Sequence, residues 1–135
     1  MNATGNSMRY IVETTKTPEI AVEDLRAAVT KHGFGVLHAY DLKETLTAKG
    51  FPLPHACHIL EVCNPQQASK VLAEDMGMNI ALPCRISVYE EDGKTKIATA
   101  LPTKLLSALS DSPTLAAVAT DVETKMKAMM HDAAL

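Results

Sequence analysis

Two hydrophobic periods alternate along this chain, and the points where one gives way to the other mark the expected elements. Residues 8–16 are rich in β-formers and predict a strand. Thr17 can then cap a helix whose first position suits Pro18. Val22, Leu25 and Val29, with Ala21 and Ala28 beside them, recur at helical spacing up to Lys31 and His32, and Gly33 ends the run. Residues 34–40 predict a second strand, on which His38 aligns with Phe34, Val36 and Tyr40. Asp41 can cap a short helix over 42–49, stopped by Gly50. Pro52 and Pro54 keep the next stretch extended.

The third strand spans Cys57 to Cys63. Asn64-Pro65 is a strong helix start, and Ala68, Val71 and Leu72 carry that helix to about Asp75. Residues 76–83 predict a loop. In the fourth strand, 84–90, Cys84, Ile86 and Val88 alternate with Arg85, Ser87 and Tyr89. Asp92-Gly93 is a two-residue hairpin signal leading into a fifth strand over 94–101. A short helix over 103–109 follows Pro102. Ser112-Pro113 opens a final helix with the stripe Leu115, Val118, Val122, Met126 and Met129. Its Asp121, Lys125 and Asp132 are expected to face water, and His131 to fray. The methionines at 126, 129 and 130 read as core or interface filler.

Strands and helices in this order, closed by a hairpin, point to an α+β two-layer sandwich: a mostly antiparallel sheet of about five strands backed by helices. Residues 1–7 read as a disordered tail, and 8–132 as a single domain. The chain of 135 residues is long enough for one sizeable core, and 47% hydrophobic with 21% charged residues is globular composition. A net charge of −3 and an aromatic content of 4% argue against general nucleic-acid binding. No apolar run is long enough for a membrane span. The first residues do not resemble a secretory signal, so a soluble, cytoplasmic protein with reduced cysteines is expected.

Chemistry is concentrated in the cysteines and their neighbours. Cys63 ends a strand and adjoins a helix cap, and a helix N-terminus lowers the pKa of a nearby thiol. Glu61, two residues earlier on the same strand face, is placed as a general base or ligand. Cys84 opens the fourth strand, with Arg85 on the opposite face. Antiparallel third and fourth strands would put Cys63 and Cys84 at one end of the sheet; a parallel crossover would separate them. His55, Cys57 and His58 form the densest cluster of transition-metal or haem ligands, although their spacing fits no closed zinc template. Strand parity sets His55 and Cys57 on one face and His58 on the other. His32 reads as a helix C-terminal cation, and His38 as a core or edge histidine. No Gly-rich phosphate loop, nucleophile elbow or His-Glu-x-x-His motif occurs.

Three segments together resemble the domain-of-unknown-function 302 family: Tyr40 to Leu46, Ile59 to Pro65 with Ala68, and Leu82 to Arg85 leading into Val88-Tyr89-Glu90. The resemblance covers about residues 8–130 and implies a curved, largely antiparallel sheet backed by helices, often in a homodimer. It implies no settled activity, and a context of sulfur or redox metabolism. Cys63, Asn64, Pro65, Pro83, Cys84 and Arg85 are its family-typical positions; His55, Cys57 and His58 lie outside them. The leading expectation is a small binding protein that takes a sulfur species, a metal or haem near Cys63, Asn64, Cys84 and Arg85. A cysteine-dependent enzyme with Cys63 as nucleophile and a dimeric scaffold without chemistry are the alternatives.

Overall fold

Helix starts coincide with side chains that satisfy the free N–H groups of a first turn. The computed structural model describes residues 8–135, so the tail expected at 1–7 lies outside the described residues. Thr17 accepts from Ile20 N at the start of α1 (Pro18–Lys31), Asp41 from Glu44 N at α2 (Leu42–Ala48), and Asn64 from Gln66 N and Gln67 N at α3 (Pro65–Glu74). Ser112 caps α5 (Pro113–Ala134) through Leu115 N. Proline occupies the first turn of α1, α3 and α5, where its missing N–H costs nothing. Only α4 (Pro102–Leu109) lacks a cap of its own. There Thr103 donates from both its backbone N and its hydroxyl to Glu123 Oε1 on α5, at 3.0 and 2.7 Å.

The strands are β1 (Arg9–Thr14), β2 (Gly35–Asp41), β3 (Cys57–Cys63), β4 (Cys84–Glu91) and β5 (Lys94–Ala100). They form one sheet in the order β1-β5-β4-β3-β2, antiparallel at every step. Asp92 and Gly93, both at positive φ, make the tight turn between β4 and β5. One face of the sheet carries Val12, Leu60, Val62, Ile86, Val88 and Ile97, all buried. Against it pack Leu25 and Val29 of α1 and Met126, Met129 and Met130 of α5, all without exposed surface. The expected two-layer α+β architecture is therefore present, with the helices covering one face of the sheet.

Three local readings change. A bulge between Val36 and His38 adds one residue to β2, so Val36 pairs with Val62 whereas His38 pairs with Glu61. The extra residue inverts side-chain parity. Val36 packs on the core, while His38 and Tyr40 stand on the opposite, open face rather than beside Phe34. Residues 76–81 form a 3-10 turn, not a loop. It starts where Asp75 Oδ1 accepts from Gly77 N at 2.9 Å and is anchored by buried Met78.

The end of α5 is held in place rather than frayed. Tyr10 Oη and His131 Nε2 lie 2.5 Å apart, Thr14 donates to Ala134 O at 2.8 Å, and Lys16 donates to Ala133 O at 2.9 Å. Asp132, expected in water, meets His32 Nε2 at 2.8 Å and Lys31 Nζ at 3.3 Å. Asp121 likewise takes hydrogen bonds from Gln67 and Lys125. No helix among the described residues is long and apolar enough to cross a membrane.

Two stability measurements follow. Leu60 is fully buried at the centre of the sheet, so Leu60→Ala should cost about 2–5 kcal/mol in urea unfolding, whereas Leu37→Ala at the exposed bulge should change stability by less than about 0.5 kcal/mol. Hydrogen bonds from His32 and then Lys31 hold the Asp132 carboxyl below its usual range. A depressed folded-state pKa stabilises above the ordinary carboxylate range and is lost as pH falls through the lowered value. Asp132→Asn should therefore flatten that part of the acid limb of stability against pH, and an unchanged limb would contradict the pairing.

Candidate functional site

The antiparallel pairing of β3 and β4 answers the question the sequence leaves open. Val62 is the register partner of Cys84, so Cys63 and Cys84 lie at the same end of the sheet. The chain returns to that end through α3, the 3-10 turn and the cis Leu82-Pro83 bond. Cys63 and Cys84 line one apolar cavity of about 30 Å³ beneath α3, α4 and α5, walled by Phe34, Val71 and Val118 among others. Asn64 and Gln67 supply its other polar atoms. Gln67 donates its side-chain N–H to Asp121, and its Oε1 is buried with no hydrogen-bond partner among the described residues.

Burial favours the protonated form of both thiols in this cavity. Burial pushes Cys84 up to about 11, with the neighbouring Cys63 adding to the effect. Burial also raises Cys63, against the lowering expected from the α3 N-terminus. The reason lies in the cap. Asn64 Oδ1 already accepts from Gln66 N and Gln67 N, at 3.1 and 3.2 Å, and Pro65 has no N–H to offer. Little unsatisfied positive dipole remains for a thiolate, while the partial burial of Cys63 disfavours its charged form. The same two hydrogen bonds commit the Asn64 carbonyl oxygen, so only its amide N–H₂ is free to meet a ligand.

Glu61 and Arg85 stand on the other side of the sheet. Their Cα positions pair in register, and both line a separate cleft of about 290 Å³ with Leu82, Pro83, Cys84 and Leu105. The Leu82-Pro83-Cys84 segment thus borders two spaces, one almost wholly apolar and one with a carboxylate and a guanidinium in its lining. The Glu61 carboxylate accepts from the Tyr40 hydroxyl at 3.0 Å, and that bond, followed by burial, raises the Tyr40 pKa. The His38 ring lies 4.5 Å from the Tyr40 ring. Glu61 is therefore engaged with Tyr40 on the open face and does not line the cavity that holds Cys63.

His55, Cys57 and His58 are not brought together. His58 faces the helical layer, 3.8 Å from Glu19 on α1. Cys57 lies on the open face opposite Tyr89, its pKa raised by burial and by Asp41. His55 precedes the strand and acts on Glu91. Among the described residues no group of three or more His, Cys, Asp or Glu side chains is placed to hold a metal ion. One site residue escapes the sequence reading altogether. Gln67 looks like a solvated first-turn glutamine, but it precedes Val71 by one helical turn and so shares its buried face.

The family model for the domain of unknown function DUF302 matches residues 10–133. The chain belongs to this family. The crystal structure of an uncharacterised conserved DUF302 protein from Bacillus stearothermophilus is similar, with a TM-score of 0.89 at 35% identity, covering 94% of this chain and 98% of that one. Among curated proteins no match is found. In this DUF302 chain two of the three segments that carry the resemblance, Ile59–Pro65 and Leu82–Arg85, converge on the cavity and the cleft, while Tyr40–Leu46 lines neither.

The thiol environments predict an alkylation order. With its pKa at about 11, roughly one Cys84 in a thousand is thiolate at pH 8. Native-state iodoacetamide labelling, read site by site by mass spectrometry, should show Cys84 slowest and Cys63 reacting only above the ordinary thiol range. Fast labelling of Cys63 near neutral pH would contradict this environment.

Proposed function

We propose that this chain is a small ligand-binding protein whose site is the cavity shared by Cys63 and Cys84, and that its ligand is a small neutral sulfur species such as hydrogen sulfide. The observation that carries the reading is the lining: two thiols whose pKa burial raises, and Gln67, whose buried Oε1 has no hydrogen-bond partner among the described residues, around an apolar space of about 30 Å³. A neutral S–H donor can satisfy Gln67 without bringing charge into an apolar cavity, and the polarisable thiols suit it by dispersion. Water fits less well, because an ordered water needs two to four good polar partners and this cavity holds few.

The same features weigh against the other ligands the sequence suggested. A metal needs deprotonated thiols, which this burial opposes. A haem macrocycle is larger than the cavity. The enzyme reading needs an activated Cys63, and its candidate base, Glu61, is hydrogen-bonded to Tyr40 instead. The proposal uses Cys63, Cys84 and Gln67 of one chain and is made separately from the expected homodimer. Light scattering on the purified protein reports that assembly independently.

The test is a sodium sulfide titration of ¹⁵N-labelled protein at mildly acidic pH, where hydrogen sulfide is neutral. Saturable shifts of the Gln67 side-chain amide and slower alkylation of Cys63 and Cys84 are expected. Gln67→Leu, which removes the acceptor, should weaken binding about tenfold, a hydrogen bond's worth. Absence of saturable shifts in the wild type, or equal binding by Gln67→Leu and Cys63→Ala, would overturn the proposal.

A further inference from the structure

The face of the sheet turned away from the helices carries a second site, of opposite chemical character. It is a concavity of about 340 Å³ over β1, β5, β4 and β3, lined by Arg9, Ile11, Ile59, Arg85, Ser87, Tyr89 and two alanines, among others. Sequence and register explain the hollow. Ile11 pairs with Ala98, Ala98 with Ser87, and Ser87 with Ile59, so one row across the sheet runs large, small, small, large. In the next row Arg9 pairs with Ala100, and Arg85 lies two residues from Ser87 on the far side of β5. Small side chains at Ala98 and Ala100 form a floor, and two arginines rise on either side of it.

The carboxylates nearest this floor have other hydrogen-bonded or ion-pair partners. Glu91 is paired with Lys96 at 2.7 Å and Glu13 with Lys94 at 3.6 Å, and Glu61, the register partner of Arg85, accepts from the neutral Tyr40 hydroxyl. Neither Arg9 nor Arg85 makes an ion pair or side-chain hydrogen bond among the described residues. Two guanidiniums that make no contact ion pair, although Glu91 lies in the field of Arg9 and Glu61 pairs in register with Arg85, stand beside an apolar floor and the Tyr89 ring and match a ligand with an oxyanion at one end and an apolar body at the other.

We propose that this concavity binds a small amphipathic organic anion, its carboxylate or phosphate held between Arg9 and Arg85 and its apolar body on Ile11, Ile59, Ala98 and Tyr89. The site is independent of the cysteine cavity and needs no change in the thiols. Charge complementarity sets the head group, and the alanine floor sets the width of the body. Arginine suits both head groups because its planar fork meets either oxyanion with two parallel hydrogen bonds.

The experiment compares benzoate and phenyl phosphate with benzyl alcohol, which lacks the anion, and inorganic phosphate, which lacks the body. Binding is followed by backbone amide shifts in the full chain. Benzoate or phenyl phosphate should bind at least about tenfold more tightly than either partial probe, and whichever is tighter identifies the head group. Arg9→Gln and Arg85→Gln should each weaken binding about tenfold without altering thermal unfolding, since both side chains are exposed. Ala98→Leu, which fills the floor, should abolish it. A second copy of the chain is the competing occupant. In that case Ala98→Leu changes the oligomeric state by light scattering and benzoate binds no better than benzyl alcohol, which overturns the proposal. Equal binding by the wild type and both arginine variants overturns it as well.

Discussion

The antiparallel pairing of β3 with β4 is the constraint on which the rest of the molecule depends. It places Val62 opposite Cys84 and Leu60 opposite Ile86, so the alternating apolar residues of both central strands fall on one face. That face is the one α1 and α5 cover. Because side-chain period in a strand is two, the same register sends Glu61, Arg85, Ser87 and Tyr89 to the other face. A one-residue slip would bury two charges and expose the core. The hydrophobic cost of that alternative, about 25 cal/mol for every Å² of apolar surface returned to water, keeps the register in place.

The chemistry divides along the same plane. On the covered side, Cys84 sits among apolar walls and burial pushes its pKa up to about 11, while Cys63, half-buried at the end of β3, borders the same cavity and is raised by burial as well. On the open side, arginines, a glutamate, tyrosines and a histidine remain near water and carry their ordinary functions as charges, donors and acceptors. Leu82-Pro83-Cys84 runs along the boundary and borders both spaces. The helix N-terminus beside Cys63 does not activate it, because Asn64 has already used its oxygen to satisfy the N–H groups that would have stabilised a thiolate. A capping motif and an activated cysteine compete for the same donors, and here the cap prevails.

Much of this architecture is legible in the residues. Capping side chains followed by proline mark the starts of α1, α3 and α5, and Asp92-Gly93 marks the hairpin, since each is a local rule that tertiary context rarely overrides. The cysteine pair was located to strand ends for the same reason. What was not legible depends on pairing partners. The bulge at Leu37 leaves no mark in the pattern of β2, so simple alternation puts His38 and Tyr40 on the wrong face. The held end of α5 depends on Tyr10, Thr14 and Lys16, more than a hundred residues away. Gln67 joins the site only because α3 lies over the cavity with that face inward, which polarity alone does not reveal.

The central claim is that Cys63, Cys84 and Gln67 surround one small space that accepts a neutral sulfur ligand. The most direct measurement is an anomalous difference map from crystals soaked in sulfide at mildly acidic pH. The account predicts one additional sulfur peak between the two cysteines, within hydrogen-bonding reach of Gln67 Oε1, with both thiols otherwise unmodified. An empty cavity after the soak, or a sulfur peak only elsewhere on the molecule, would contradict it.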